Sequence, residues 1–198
     1  MSTFRFAIMG AGNIAHQFCD AVTLVEDCEV SAIASKDLGR AQKFAEECSV
    51  AHAYDNYEQM LIEEKPDCVY IAVTPNDHFR LTMLCLEHHV PVLCEKAMFT
   101  NSAEAKAVFE KAEKDQTFVM EAMWSRFLPA VNQAKKWAAE GKIGRLEALQ
   151  GRIGFLAPEG ADNRYHSPLL CGGAATDITV YAYEIATWLV NEPVRKTY

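Results

Sequence analysis

Phe4-Arg5-Phe6-Ala7-Ile8-Met9-Gly10-Ala11-Gly12-Asn13-Ile14-Ala15 opens the chain and decides its reading. A short apolar run breaks at Gly10-x-Gly12-x-x-Ala15 and resumes as a helical pattern through Val25. That order predicts a strand, a tight turn and a helix. Gly10 permits the turn, and Gly12 lets a backbone approach a pyrophosphate. The small Ala15 lets the helix pack close against the strand. The free N–H groups at such a helix start, with the helix dipole behind them, hold phosphates. A glycine turn is often only a turn. This one lies between a strand and a helix at the start of an alternating chain, which favours a dinucleotide site.

The alternation continues downstream. Strands are predicted at Glu29–Ala34, Ala51–Tyr54, Asp67–Val73, Val90–Cys94 and Thr117–Met120. Helical patterns fall between them at Arg40–Cys48, Tyr57–Leu61, Asn76–His89 and Ser102–Lys114. Asp67–Val73 is a near-continuous apolar run, as a parallel strand covered on both faces requires. Strands separated by helices imply βαβ units. Residues 1–121 therefore read as an α/β, doubly wound, dinucleotide-binding domain.

Composition narrows the partners. Half of the 198 residues are hydrophobic and 23% are charged, which is ordinary for a globular chain. A net charge of −8 argues against nucleic acid or an anionic membrane surface as a partner. No apolar run is long enough to span a bilayer, and the N-terminus lacks a signal-peptide layout. The seven cysteines are scattered with no CxxC pair, so we expect reduced thiols and a cytoplasmic location rather than disulfides or zinc. The six histidines form no HExxH, and no metal is assigned.

Three strand ends carry the remaining polar density. Ser35-Lys36 ends the second strand, with Asp37 one step later. An acid at that strand end selects NAD; Lys36, with Ser35, instead suits a 2′-phosphate, so NADP is favoured over NAD. The bland alternative makes Lys36 a solvated loop residue and Asp37 a helix cap. Thr74-Pro75-Asn76-Asp77-His78 follows the buried strand, at the carboxyl edge where open α/β sheets bind ligands. Asn76 and His78 are candidates to face the nicotinamide, unless Asn76 or Asp77 simply caps the helix. Cys94-Glu95-Lys96-Ala97 follows the next strand. Lys96 there is a candidate for proton transfer, against the ordinary reading of a surface lysine.

Together these segments resemble the glucose-fructose oxidoreductase / inositol dehydrogenase family of NAD(P)-dependent oxidoreductases. The resemblance rests on the glycine turn, Ile71–Asn76 with His78, and Glu95-Lys96. It continues through Glu121-Ala122-Met123-Trp124-Ser125-Arg126-Phe127-Leu128-Pro129, Gly141-x-Ile143-Gly144 and Gly172-Gly173-Ala174-Ala175-Thr176-Asp177-Ile178-Thr179-Val180-Tyr181. Tyr181, four residues after Asp177, resembles the branch containing dimeric dihydrodiol dehydrogenase and NADP-dependent aldose dehydrogenases. One departure is plain: the family's Glu-Lys-Pro is here Glu-Lys-Ala, and Ala97 does not pre-set the turn as proline would.

The resemblance implies cofactor contacts at Gly10, Gly12, Asn13, Ile14, Ser35, Lys36, Thr74, Asn76, His78, Glu95, Lys96, Trp124 and Arg126. It implies catalysis by Lys96, Tyr181 and Asp177, with Trp124, Arg126 and Phe127 in the cleft wall, and Arg164 and His166 near substrate. Arg126 reads equally well as an ion-pair partner, and Tyr181 as a packed helix tyrosine. Asp177 and Tyr181 are expected to share a face of one helix running to Val190. The implied reaction is hydride transfer between nicotinamide and a secondary alcohol or hemiacetal of a sugar or trans-dihydrodiol. Tyr181 would exchange the hydroxyl proton, and Lys96 would polarise the substrate oxygen. The alternative is a non-catalytic dinucleotide-binding regulator of the same fold.

Residues 122–198 are expected to begin an α+β substrate domain with a mostly antiparallel sheet, Arg145–Phe155 being its first long strand. Family members are longer. A lone strand satisfies neither its ladder nor its apolar face. The chain is therefore expected to be a fragment, or to complete its sheet with a second copy. An exposed edge of that kind predicts a homo-oligomer.

Overall fold

A computed structural model of the chain describes residues 3–160 and 163–191. Six strands, β1 (Phe4–Met9), β2 (Cys28–Ala34), β3 (His52–Tyr54), β4 (Cys68–Ile71), β5 (Val92–Cys94) and β6 (Val119–Glu121), form one parallel sheet. The sheet order is β3-β2-β1-β4-β5-β6. That is the Rossmann order, in which the chain crosses from the edge strand β3 to β4 and the strand order reverses between β1 and β4, opening a crevice at their carboxyl ends. Five helices connect the strands: α1 (Asn13–Val22), α2 (Leu38–Cys48), α3 (Tyr57–Glu64), α4 (Pro75–Glu87) and α5 (Ser102–Lys114).

The alternation of side chains along each strand divides the core into two layers. Ala7, Met9, Ala32, Ala34, Val69 and Ile71 pack on one face against Met60 and Leu61 of α3 and Leu81 and Cys85 of α4. Ile8, Ile33, Tyr70 and Ala72 pack on the other against Ala15 and Cys19 of α1 and Phe44 of α2. Every residue of β4 is buried. This is why its sequence is apolar without a break.

Three helix starts are fixed by side-chain caps. Asp37, Asn56 and Asn101 accept from the amides of Arg40, Gln59 and Glu104 at 2.9–3.0 Å. Away from the crevice, the buried Glu64 carboxylate gathers donors from two strands. Arg5 Nη2 and Tyr54 Oη donate to it, each at 2.7 Å, and His52 Nδ1 lies 2.6 Å away. Burial and the Glu64 carboxylate push the Tyr54 phenol well above its usual range.

The structure divides into two units, one running through Ala122 and one from Met123. The second contains a 3₁₀ turn at Trp124–Phe127, helix α6 (Pro129–Ala139), a short 3₁₀ turn at Pro168–Leu170, and helices α7 (Ala174–Asp177) and α8 (Thr179–Val190). Among the described residues no strand follows β6. The expected strand over Arg145–Phe155 is not formed, and Leu146, Leu149, Ile153 and Phe155 are exposed. The reason is physical: a strand exists through its ladder, and no partner strand for it lies among the described residues. No described helix is long and apolar enough to cross a membrane.

Candidate active site

The glycine turn sits at the carboxyl end of β1, beside the end of β4. Gly10 has φ +109, and a Cβ placed there would lie 2.7 Å from the Ala72 carbonyl oxygen and 2.9 Å from Val73 Cγ1. No side chain fits. Gly12 differs: a Cβ there would meet only the Ala72 oxygen, at 3.9 Å. The protein itself therefore does not require glycine at position 12; the missing side chain leaves room in front of α1. The start of that helix has no side-chain cap, in contrast to α2, α3 and α5, and no acidic residue in its first turn, in contrast to α3 and α5. Its first amides are the donors that a pyrophosphate would use, so the residues fit a dinucleotide. Asn13 and Ile14, in the first turn, are exposed, and Ala15 is wholly buried against the sheet.

Ser35 directly follows β2 and is buried. The Lys36 ammonium lies 2.5 Å from Asp77 Oδ2. Asp37 caps α2, the structural role its position allowed, so its Oδ1 is committed to the Arg40 amide. Asp77 does not cap α4, whose N-cap is Thr74. Burial pushes the Asp77 carboxyl up, but the Lys36 hydrogen bond and the charges of Lys36 and Arg80 outweigh it, and the net shift is downward. Arg40 went unnoticed in the sequence. Its guanidinium donates to the Ala11 carbonyl at 3.3 Å, so a second cation lies against the glycine turn. The available signal was a basic residue in the first turn of the helix after β2.

Beyond β4 and β5 the structure corrects one expectation. His78 was expected to face the cofactor, yet its ring is wholly buried. Nδ1 lies 3.0 Å from the Ala97 carbonyl oxygen and 3.2 Å from that of Met98, and Nε2 lies 3.0 Å from that of Val73. The first turn of α4 directs this ring inward, onto the loop after β5, whereas Asn76 stays exposed and Thr74 half-buried. Burial lowers the His78 pKa, and the three carbonyls and Asp77 offset part of that effect.

Glu95 is also buried. Its Oε1 accepts from the Tyr70 hydroxyl at 2.6 Å, and its Oε2 accepts from the Lys96 amide at 3.1 Å. Burial pushes the Glu95 carboxyl up, against the pull of those two donors. Lys96 itself is half-buried at this strand end. The Lys96–Ala97 peptide bond is cis. Glu121, at the end of β6, accepts from the Met98 amide at 2.9 Å.

The second unit brings together a different set. The Trp124 indole N–H donates to the Tyr181 hydroxyl at 2.9 Å, and Tyr181 is buried. Glu184, a buried acid not singled out in the sequence, accepts from Ser125 Oγ at 3.1 Å and from Arg126 Nε. The Arg126 guanidinium also stacks over Trp188, 4.6 Å from the ring centroid. It has the ion-pair role that its sequence context allowed. Arg164 Nη2 is 3.6 Å from Asp177 Oδ1. His166 Nε2 lies 3.2 Å from the Pro158 carbonyl oxygen.

Asp177 and Tyr181 do not share one helix. α7 ends at Asp177, Ile178 leaves helical geometry with φ −121, and the Tyr181 amide turns back to the Ile178 carbonyl at 3.1 Å. Three successive β-branched residues, Ile178, Thr179 and Val180, weaken the helix at this joint.

An uncapped helix after a glycine turn, on a parallel sheet of this strand order, defines a Rossmann-type dinucleotide-binding domain. A family model described as "Oxidoreductase family, NAD-binding Rossmann fold" matches residues 4–123, and the GFO/IDH/MocA C-terminal domain matches residues 131–198. The chain belongs to the GFO/IDH/MocA oxidoreductase family. The trans-1,2-dihydrobenzene-1,2-diol dehydrogenase of Mus musculus is 32% identical over 190 residues, covering 93% of this chain and 56% of the mouse protein. The D-xylose 1-dehydrogenase (NADP(+)) 2 of Haloferax volcanii is 30% identical over 190 residues, covering 96% of this chain and 58% of its own. An NAD-binding protein from Listeria innocua shares the fold, with a TM-score of 0.85 at 22% identity over 96% of this chain and 56% of that one. The chain thus spans a little over half the length of the relatives it matches.

Proposed function

We propose that this chain belongs to an NADP-dependent dehydrogenase acting on a secondary alcohol or hemiacetal carbon of a sugar or trans-dihydrodiol. The observation that carries the reading is the glycine turn, whose second glycine leaves room in front of an uncapped helix, a Cβ there meeting only the Ala72 oxygen at 3.9 Å. The GFO/IDH/MocA membership and the names of the mouse and Haloferax relatives support the substrate class.

The α1 amides and Gly12 would hold the pyrophosphate, with Asn13 and Ile14 beside it. Lys36 and Arg40 are the cations offered to a 2′-phosphate, while Asp37 is occupied in capping α2. This favours NADP over NAD. When bound, the nicotinamide supplies a hydride acceptor at C4. Lys96 would polarise the substrate oxygen, Tyr181, acting as its phenolate, would take the hydroxyl proton as the carbon gives up its hydride, and Asp177 would orient the reacting group. Trp124 holds the Tyr181 hydroxyl in a fixed direction through its indole N–H.

The test is turnover with NADP+ against aldoses, D-xylose among them, and trans-dihydrodiols. Lys96→Met and Tyr181→Phe are expected to lower kcat by about a hundredfold or more, the usual weight of a positioned proton-transfer group, with dinucleotide still bound by Tyr181→Phe. Unchanged turnover in either variant would overturn its assigned role. Dinucleotide binding without cofactor reduction by any polyol would instead point to the non-catalytic regulator.

A further inference from the structure

The Lys96–Met98 turn is gripped through its backbone by three side chains from three different elements. Glu95, at the end of β5, accepts from the Lys96 amide, and Glu121 of β6 accepts from the Met98 amide. His78 of α4 lies against the Ala97 and Met98 carbonyl oxygens. The residue at the centre of the turn is alanine, which does not fix its own φ. The conformation of this turn, which decides where the Lys96 ammonium is presented, is therefore set by those contacts.

His78 is the one of the three that donates. Its ring meets only acceptors, two carbonyls at Nδ1 and one at Nε2. A neutral imidazole carries one N–H, so it serves either the turn or Val73 but not both. Two carbonyls against one favour the Nδ1–H tautomer, which spends the proton on the turn. We propose that His78 is a positioning residue for Lys96, holding the Ala97 and Met98 carbonyls through its Nδ1–H. The consequence for turnover rests on the dehydrogenase reading above.

Two amide substitutions separate the two sides of the ring. The amide nitrogen of His78→Asn falls near the place of Nδ1, and that of His78→Gln near the place of Nε2. The full chain is compared in both forms by hydrogen exchange of the segment 95–99, by thermal unfolding and by kcat and KM. We expect His78→Gln to raise exchange of that segment about tenfold, the usual weight of one hydrogen bond. It should lower kcat by a comparable factor with little change in KM, whereas His78→Asn preserves both. Adding Ala97→Pro to His78→Gln, which fixes φ within the turn, is expected to restore slow exchange.

Equal effects of Asn and Gln on the segment, tracking the loss of Tm, would show a general core role and overturn the proposal. So would a Gln variant with wild-type exchange. The exchange measurement needs no cofactor or substrate, so it decides the grip even if the wild-type chain proves not to be a dehydrogenase.

Discussion

The Lys36 ammonium lies 2.5 Å from Asp77 Oδ2, joining the end of β2 to the first turn of α4. If Lys36 receives a 2′-phosphate, Asp77 competes for the same ammonium and repels the same phosphate. Asp77→Asn is therefore expected to tighten NADPH binding while leaving NADH nearly unchanged. Lys36 is 66% exposed, so the gain is limited to about fivefold, the scale of a solvent-screened ion pair. Parallel titrations of the variant with the two cofactors check it. Equal effects on both would remove Lys36 from the selection of cofactor.

The two glycines of the opening turn separate folding from binding. Gly10→Ala forces a Cβ to within 2.7 Å of the Ala72 carbonyl at φ +109. It is expected to cost about 2 kcal/mol or more in chemical denaturation, by strain and overpacking together. Gly12→Ala meets only ordinary contact, at 3.9 Å. Its stability should stay within about 1 kcal/mol of wild type, while dinucleotide affinity falls by about tenfold or more because the methyl occupies the approach to the helix amides. Loss of stability equal to that of Gly10→Ala would refute the distinction.

Buried His78 makes stability depend on acid. Its pKa is depressed by burial below the ordinary 6.5, with the Val73, Ala97 and Met98 carbonyls and the neighbouring Asp77 charge offsetting part of the shift. Below 6.5 the unfolded chain takes up the proton more readily than the folded one, so stability rises with pH through that window. The contribution is complete above 6.5 and is lost as pH falls toward the depressed folded value. The urea midpoint of wild type should drop more steeply than that of His78→Asn between about pH 7 and about pH 5. Parallel slopes would show that His78 does not titrate on unfolding.

The sheet was legible because parallel strands buried on both faces must be apolar without a break, as Cys68–Ile71 is. Ser102–Lys114 was legible at both ends because an asparagine cap precedes it and lysines close it. Local chemistry also sufficed for the glycine turn. What it did not show is which way a polar residue points. His78, Leu81, Thr82 and Cys85 follow the helical period and are all buried, so the stripe itself marked His78 as an inward residue. Its suggestive place at a strand end masked that signal. The pairing of Arg145–Phe155 depends on residues far from it in sequence, which no local pattern supplies. The break at Ile178 was written in its three β-branched residues, and the four-residue spacing of Asp177 and Tyr181 hid it.

Cofactor binding by the intact chain tests the central claim most directly. Titration with NADPH and with NADH, followed by transfer of tryptophan emission to the bound nicotinamide, gives both affinities in one format. Saturable binding of both is expected, with NADPH the tighter, and with both weakened by about tenfold or more in Gly12→Ala. Absence of binding by either cofactor to the folded chain would contradict the reading of the opening turn as a dinucleotide site.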